Sequence, residues 1–353
     1  MNINQIETPA LVLDKTILME NIAAMEKILA GTPLKLRPHY KSHKCAQLAH
    51  LQLEHGACGM TCSKLSEAVD LLDSGVEDIL IANQIVEPAK IERLARLALC
   101  AKITVCVDDI DNIKALSEAA ENCGSVINCL VEYEIGMERC GVSTKEEVLE
   151  LCKEIVCHKS LHYEGIQAYA GHISHMESDI ERQELTNKNS QKIKELIAYL
   201  SKNGIETKTI SGGSTGTSKI KAGEGLYTEL QAGSYLFMDS TYSLLDVPFK
   251  NSLFVLTTVV SNKGGITVVD AGVKTCGVDQ GMPAIVDNCA EKLVASEEHF
   301  QLHKLSKKAT LGQKLMLIPG HCCSTINLHD KIYLVENGKV VDRLLVTGRG
   351  FGK

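Results

Sequence analysis

The segment Gly56–Asn83, GACGMTCSKLSEAVDLLDSGVEDILIAN, contains a β-rich run, then an amphipathic stretch, then a second β-rich run. Apolar residues spaced i, i+3 and i+4 in the middle stretch predict a helix. Ser63 is suited to cap the start of this helix, and Gly75 is suited to end it. The segment therefore predicts a strand, a helix and a second strand in succession.

The same alternation runs through most of the chain. Eight strand-like runs are separated by helical patterns, and eight strands with a helix between each pair predict an α/β fold, the (β/α)8 TIM barrel. A doubly wound open sheet is the alternative, which eight successive units disfavour. The runs are LKL before Arg37, GACGMTC near Gly59, DILIAN from Asp78, KITVCVD from Lys102, VINCLVEYE from Val126, YEGIQAY from Tyr163, TKTIS from Thr207 and YTELQAG from Tyr227.

The pattern changes after about residue 244. Runs such as LFVLTTVVSN, GGITVVDAGV, QKLMLIPGHC, KIYLVENGKVV and RLLVTG are joined by turns rich in Gly, Asn and Lys, and they have little helical periodicity. We therefore predict two domains. Residues 15–244 form the barrel, and residues 245–353 form a C-terminal β-rich domain together with residues 1–14, which contain the early run TPALVLD.

The composition argues against several classes of partner. The 353 residues include 37 Lys plus Arg against 44 Asp plus Glu, with no long basic run and no Trp, so neither nucleic acid nor an anionic membrane is an expected partner. No apolar run reaches membrane-spanning length, and the N-terminal residues lack the features of a signal peptide. The fourteen cysteines are scattered along the chain. We expect a cytoplasmic protein with reduced cysteines.

Polar segments follow several of the predicted strands, which is where a barrel carries its active site. RPHYKSHK (Arg37–Lys44) follows the first strand, and QAYAGHISH, which contains Tyr169 and His175, follows the sixth. SGGSTGTS (Ser211–Ser218) and GSY (Gly233–Tyr235) follow the seventh and eighth strands. These four segments are the candidate functional segments of the barrel.

The two glycine-containing turns predict a phosphate site, because backbone N–H groups approach an anion closely there and hydroxyl groups add donors. Glycine turns also occur simply because glycine permits unusual dihedral angles, but two of them at adjacent strand ends strengthen the prediction. The groups concerned belong to Gly212, Gly213, Gly233, Ser234, Ser214, Thr215 and Thr217.

A phosphate site and a lysine after the first strand together indicate pyridoxal phosphate, with Lys41 as the Schiff-base amine. An ordinary surface lysine is the alternative. Neighbouring positive charge lowers the pKa of an amine, which helps to supply a neutral nucleophile. The neighbours of Lys41 in the sequence are Arg37, His39, His43 and Lys44.

Other polar residues are candidates for cofactor binding and proton transfer. Arg139 is a candidate partner for the phenolic oxygen of the cofactor, and a surface ion pair with Glu134 or Glu138 is the alternative. His172 and His175 are candidate proton carriers because imidazole titrates near neutrality. Solvated loop histidines are the alternative.

The segment PGHCCST (Pro319–Thr325) predicts a metal site. On an extended segment residues i and i+2 face the same side, so His321 and Cys323 present imidazole and thiolate together, and Cys322 points away. Such a pair suits Zn²⁺, and two protein ligands leave positions for water or substrate. Ordinary buried residues and a vicinal disulfide are the alternatives.

Seven motifs together resemble the D-threonine aldolase and D-serine dehydratase family, whose members are fold-type III pyridoxal-phosphate enzymes with an alanine-racemase-like barrel. The motifs occur in order over nearly the whole chain. They are TPALVLD, RPHYKSHK, RCGV, QAYAGHISH, GGSTGT, YTELQAGSYLFMD and PGHCCSTINLHD.

The resemblance implies a role for each candidate residue. Lys41 bonds covalently to the cofactor, His175 is the catalytic base, and His321 and Cys323 are the metal pair of the β-domain. Gln231 takes the position of the arginine that racemases place against the pyridine nitrogen, and a neutral amide there implies a weaker electron sink. Further implied cofactor contacts are Arg139, Tyr169, Gly212, Gly213, Thr215, Gly233, Ser234 and Tyr235.

Two branches of the family are distinguished by one position. Aldolases are expected to have aspartate two residues after the metal histidine and dehydratases to have cysteine, so Cys323 is dehydratase-like. The longer motifs QAYAGHISH and YTELQAGSYLFMD resemble the aldolase branch and carry more weight.

We therefore predict a lyase that cleaves a D-3-hydroxy amino acid, such as D-threonine, to glycine and an aldehyde. Dehydration of D-serine or D-3-hydroxyaspartate to a 2-oxo acid and ammonia is the alternative; racemisation and a non-catalytic pyridoxal-phosphate carrier are less favoured. The expected metal is Zn²⁺, with Mn²⁺ as the alternative. The resemblance also implies a homodimer.

Overall fold

Strands and helices alternate through the first two thirds of the chain in the computed structural model, which describes residues 1–352. The first strand is β1 (Ala10–Asp14), and it is followed by eight strands of a second sheet. Those eight are β2 (Lys35–Leu36), β3 (Met60–Cys62), β4 (Asp78–Ile81), β5 (Lys102–Val107), β6 (Ile127–Glu132), β7 (Leu161–Ala168), β8 (Thr209–Gly212) and β9 (Glu229–Leu230).

Eight α-helices occur among or beside these strands. They are α1 (Lys15–Leu29), α2 (Ala46–Glu54), α3 (Leu65–Asp73), α4 (Pro88–Leu97), α5 (Ile110–Cys123), α6 (Lys145–Cys157), α7 (Asp179–Lys202) and α8 (Ser218–Glu224). Strands β2 to β9 are all parallel and lie in the order β2-β9-β8-β7-β6-β5-β4-β3. A parallel bridge between His39 and Thr61 joins the two ends of this sheet. The predicted barrel is therefore confirmed, and the open sheet is wrong.

Helix α3 shows how local sequence sets an element's limits. Its end agrees with the prediction, because Gly75 follows the last turn with φ of 93°, a value that glycine adopts without strain. Its start does not agree. The N-cap is Lys64, and the Glu67 carboxylate accepts the N–H of Ser63 at 2.8 Å, so the prediction that Ser63 caps the helix is wrong.

The remaining strands form the other sheet, the one that contains β1. They are β10 (Leu253–Lys263), β11 (Ile266–Val269), β12 (Ala284–Ile285), β13 (Ala290–Ala295), β14 (Phe300–Leu305), β15 (Lys314–Ile318), β16 (Lys331–Glu336) and β17 (Lys339–Leu345), with the short helix α9 (Cys322–Ile326). The predicted β-rich segment after the barrel is confirmed. Strand β1 is antiparallel to β10 and parallel to β16, so the TPALVLD run lies within this sheet.

The chain divides into two compact units. The β unit consists of Met1–Met25, Ser42–Gln47 and Ser234–Gly350, and the barrel unit consists of Glu26–Lys41 and Leu48–Gly233 with residues 351–352. One apolar cluster of the β unit is built from Ile6, Ala10, Val12, Leu256, Tyr333 and Val335. The domain boundaries given above stay a prediction.

All fourteen cysteines lie among the described residues, and each is a free thiol. Within residues 1–352, no helix is both long enough and apolar enough to cross a membrane.

Candidate active site

Lys41 lies in a tight helical turn, Tyr40–Ser42, directly after the first barrel strand. The turn is held by its neighbours: the N–H of Lys41 donates to His39 Nδ1 at 3.4 Å, and Nε2 of the same imidazole lies 3.4 Å from Ser63 Oγ. The hydroxyl of Tyr40, whose side chain is fully buried, donates to Asp70. These contacts fix the backbone of Lys41, a residue that is partly buried.

Arg37 is not an unpaired part of a cationic cluster. Its Nη1 lies 2.7 Å from Asp78 Oδ1 and its Nη2 lies 2.8 Å from Glu229 Oε1, at the starts of β4 and β9. Burial alone would lower the pKa of Arg37, but attraction to Glu229 and Asp78 raises it above the ordinary value. The prediction that Arg37 adds free positive charge around Lys41 is therefore wrong, because two carboxylates already neutralise it.

Replacing Arg37 with methionine is expected to lower the free energy of unfolding by about 3 kcal/mol, because it leaves Glu229 without its cation and Asp78 with only Lys102, whose Nζ is 3.9 Å away. Urea unfolding followed by circular dichroism measures this. Arg96→Met is the matched control, because Arg96 forms an exposed pair with Glu92 and is expected to change stability by less than about 1 kcal/mol. Equal effects in the two variants would contradict the importance of the buried cluster.

The turn after β8 has the form of an anion cradle. A Cβ on Gly212 would clash with the carbonyl oxygen of Ala168, and Gly213 has φ of 74° with Leu230 Cδ1 only 2.8 Å from its ideal Cβ position. The Oγ1 of Thr215 is buried and has no hydrogen-bond partner among residues 1–352. A close backbone and an unsatisfied buried hydroxyl fit a phosphate group.

Lys221, a buried lysine close to this turn, was not among the predicted site residues. Lys221 Nζ is 2.9 Å from Glu224 Oε1 and 3.9 Å from the ring centroid of Tyr227, and burial lowers the pKa of Lys221. The Tyr227 hydroxyl donates to the carbonyl of Ala168 at 2.9 Å. In the sequence near Lys221, the local signal was Gly225, which ends the helix α8 that carries this lysine.

Arg139 is brought together with another predicted cofactor residue. Its guanidinium lies 5.7 Å from the ring centroid of Tyr169, and its Nη2 is 3.8 Å from Glu132 Oε1. The alternative ion pair with Glu134 or Glu138 does not form, because the carboxylate of Glu134 instead accepts the N–H groups of residues 136–138. Arg139 remains 48% exposed and is thus accessible to a ligand.

Gln231, just past β9, is buried and oriented by two partners. Its Nε2 donates to Gln167 Oε1 and to Ser211 Oγ, each at 2.9 Å. Gln167 and Ser211 are the first residues of the candidate segments QAYAGHISH and SGGSTGTS, but the sequence prediction gave neither of them a role.

His175 follows the helical turn Gly171–Ile173 and is partly buried, whereas His172 is exposed. In the β unit, Ser234 and Tyr235 begin a similar turn and both are buried. The roles predicted for these residues stay predictions.

His321 and Cys323 are close together, but not through the extended segment that was predicted. His321 is the N-cap of α9, and Cys323 lies in the first turn of that helix. Burial opposes charge on His321, but the Cys323 thiolate and the Asp279 carboxylate raise the pKa of His321 to about 9. Cys322 is fully buried, and its N–H donates to Asp239 Oδ2 at 3.0 Å.

The donor set fits a two-ligand metal site. Within residues 1–352, no cluster of three or more His, Cys, Asp or Glu side chains that could hold a metal ion occurs, and the predicted pair His321 and Cys323 is the candidate donor set. His321 Nδ1 donates to Asp279 Oδ2 at 2.7 Å, which leaves Nε2 as the nitrogen for an ion. Cys323 Sγ lies 3.6 Å from Ser42 Oγ and 4.0 Å from Ser234 Oγ, both in the β unit.

Asp279 is expected to support metal binding by holding the His321 ring. Removal of the carboxylate in Asp279→Ala should lower the affinity for Zn²⁺ by about 10-fold or somewhat more, since outer partners of ligating histidines have effects of this size. Competition with a chromophoric chelator measures it. Asp246→Ala, at an exposed aspartate of the same unit, should leave the affinity unchanged; a similar loss in both variants would contradict the role of Asp279.

Comparison with known proteins agrees with this architecture. Residues 13–241 match the family model "Alanine racemase, N-terminal domain", and residues 252–335 match "Putative serine dehydratase domain". The chain is 38% identical to a 3-hydroxy-D-aspartate aldolase of Paracoccus denitrificans (strain Pd 1222), over 100% of this chain and 94% of that protein. It is also 38% identical to a D-threonine aldolase of an Arthrobacter species, over 99% and 94%.

Comparison with solved structures also agrees with this architecture. The crystal structure of D-threonine aldolase from Filomicrobium marinum superposes with a TM-score of 0.95 at 36% identity, over 99% of this chain and 98% of that one. Fold and site thus define an alanine-racemase-like enzyme. The chain belongs to the D-threonine aldolase and D-serine dehydratase family, whose members are pyridoxal-phosphate-dependent lyases. The predictions of the family and of lyase activity are confirmed.

Proposed function

We propose that this protein cleaves a D-3-hydroxy amino acid to glycine and an aldehyde by a retro-aldol reaction. The observation that carries the proposal is the near full-length match, at 38% identity, to two aldolases that act on such amino acids. The match spans both the segment around Lys41 and the segment around His321.

The barrel unit offers groups for each part of the cofactor. Lys41 would attach pyridoxal phosphate through its amine, and the turn that contains Gly213 and Thr215 would hold the phosphate. Arg139, beside Tyr169, would pair with the phenolic oxygen. When bound, the cofactor supplies an electron sink for the carbanion left at the substrate's Cα.

The protein's own proton chemistry is assigned to His175. This residue would accept the proton of the substrate's 3-hydroxyl oxygen while the Cα–Cβ bond breaks. His321 and Cys323 would hold a divalent ion, which supplies Lewis acidity, and the thiolate favours Zn²⁺ over Mn²⁺.

Product identification tests the proposal. The holoenzyme is incubated with D-threonine, D-3-hydroxyaspartate and D-serine, and we expect glycine with an aldehyde from at least one of the first two. His175→Ala should lower this cleavage by on the order of 10²- to 10⁴-fold. His162→Ala, which removes an exposed histidine near the start of β7, should have little effect. Glycine formation that survives in His175→Ala would contradict the assignment of the base.

Dehydration is the second candidate, because the metal pair contains Cys323 and residues 252–335 match a putative serine dehydratase domain. A 2-oxo acid and ammonia as products, with little dependence on His175, would support it in place of cleavage. We also propose a homodimer, which light scattering of the purified holoenzyme measures.

A further inference from the structure

A row of buried polar side chains crosses the barrel at the ends of three adjacent strands. Glu132 of β6 is directly opposite Gln167 of β7, and Gln167 is directly opposite Ser211 of β8. Gln231, just past β9, joins the row through its bonds to Gln167 and Ser211. All four residues are buried. We refer to Glu132, Gln167 and Gln231 as the amide relay.

The Glu132 carboxylate, at one end of the relay, determines which group of each amide donates and which accepts. An ionised Glu132 can only accept hydrogen bonds. Gln84 Nε2 donates to Glu132 Oε2 at 2.6 Å and to Asp108 Oδ2 at 3.2 Å, so both of its N–H groups are directed at carboxylates. Gln167 is directly opposite Glu132 in the strand register, and its NH₂ group is the part of the amide that can donate to this carboxylate, which acts to lower the pKa of Glu132.

The orientation of the Gln167 amide in turn determines which end of the Gln231 amide faces it. Because the NH₂ group of Gln167 faces Glu132, its Oε1 faces Gln231 and accepts from Nε2 at 2.9 Å. The second proton of that Nε2 goes to Ser211 Oγ, also at 2.9 Å. Among residues 1–352, the hydrogen bonds described above for the Gln231 side chain all use Nε2 as the donor, and its Oε1 is left to accept a hydrogen bond from an N–H group of a ligand.

We propose that Glu132 and Gln167 act as positioning residues that turn the carbonyl oxygen of Gln231 toward the ring nitrogen of the cofactor and so keep that nitrogen protonated. The inference rests on the proposed function, in which Lys41 and the turn after β8 hold pyridoxal phosphate. This orientation implies the opposite of what the sequence resemblance implied, namely that a neutral amide at Gln231 makes the cofactor ring a weaker electron sink. An amide with its NH₂ group toward the ring would favour the neutral nitrogen, whereas a carbonyl oxygen favours the charged N–H form and a stronger electron sink.

The charged groups around Glu132 are compatible with an ionised carboxylate. Burial raises the pKa of Glu132, and hydrogen bonds from Gln84 and Gln167 with attraction to Arg139 oppose that rise. Asp108 is the neighbouring anion. The nearby thiols of Cys106 and Cys140 stay neutral at pH 7, since burial raises the pKa of each. As the pH falls toward the raised pKa, Glu132 takes up a proton and ceases to fix the relay.

Nuclear magnetic resonance of the holoenzyme with ¹⁵N in the cofactor ring tests the inference, because the chemical shift reports whether the nitrogen carries a proton. We expect a protonated nitrogen at neutral pH in the unmodified protein. In Gln167→Met, the midpoint pH of this protonation should fall by about one unit, the effect of one hydrogen bond. Gln231→Glu retains an acceptor and should keep the nitrogen protonated.

Gln52→Met is the matched control, since Gln52 is buried in α2 outside the relay, and it should leave the midpoint unchanged. Should Gln167→Met fail to fold, Glu132→Gln supplies the test with nearly the same shape, and a lower midpoint is again expected. An unprotonated ring nitrogen in the unmodified protein would overturn the inference. Unchanged midpoints in both Gln167→Met and Glu132→Gln would also overturn it.

The two proposals fail in different ways. Borohydride reduction and peptide mapping locate the cofactor independently of its protonation. A cofactor bonded to Lys41 with a neutral ring nitrogen overturns the relay alone. A cofactor on another lysine, or none, overturns the proposed function and the relay with it.

Discussion

Lys41→Ala is expected to abolish the borohydride-stable link between protein and pyridoxal phosphate and to lower turnover of a D-3-hydroxy amino acid by roughly 10³-fold. The reason is that Lys41 is the amine proposed to bond to the cofactor, and the turn around it is fixed by His39, Ser63 and Tyr40. Absorbance of the bound cofactor, peptide mapping after reduction and steady-state kinetics measure the three consequences.

Lys44→Ala is the control for this variant. Lys44 lies three residues further along, and its Nζ is 3.1 Å from Asn327 Oδ1 in the β unit, so its removal should leave the covalent link intact. A labelled peptide that lacks Lys41, or an unchanged turnover in Lys41→Ala, would show that another group carries the cofactor.

Loss of the metal pair is expected to have the second-largest effect. His321→Ala and Cys323→Ala each remove one of the two side chains proposed as protein ligands, so the affinity for Zn²⁺ should fall by at least about 10²-fold, which is more than the loss expected from Asp279→Ala. Metal content after dialysis, measured by mass spectrometry, should fall from one ion per chain to a small fraction. Cleavage activity should fall with it, and treatment of the unmodified protein with a chelator should reproduce the loss.

The two adjacent cysteines provide a sharp control. Cys322 and Cys323 have sulfur atoms 3.9 Å apart, but Cys322 is fully buried and Cys323 is partly exposed. Cys322→Ala should therefore retain the metal, although it leaves a small cavity. Retention of metal in Cys323→Ala, or equal loss in both variants, would contradict the assignment of Cys323 as the ligand.

The sequence predicted the barrel well because its signals are local. Alternating β-rich and amphipathic runs matched all eight barrel strands, and glycines marked turns that need unusual backbone angles, as at Gly75 and Gly213. The predicted β segments lacked β12, β13 and β14. Strand β12 has only two residues, and the runs AEKLVA of β13 and FQLHKL of β14 mix charged with apolar residues. Because both faces of β13 are partly exposed, its sequence has no clear alternation.

The candidate site was less predictable because it depends on partners distant in the sequence. The charge of Arg37 is neutralised by Asp78 and Glu229, and no local pattern in RPHYKSHK shows that. Similarly, His321 and Cys323 meet at the start of a helix. In the proposed relay, the direction of the Gln231 amide depends on a carboxylate three strands away, so residue type alone gave the opposite expectation.

The central position of β1 has a consequence for synthesis of the protein. Leu11 pairs with Val255 on one side and with Ile332 on the other, so about 320 residues must be translated between the first strand and its parallel neighbour. At ordinary elongation rates of 5–20 residues per second this takes roughly 15 to 65 s. During that interval the apolar run ALVLD lacks the partner of at least one edge, and such an unpaired edge can pair with other chains.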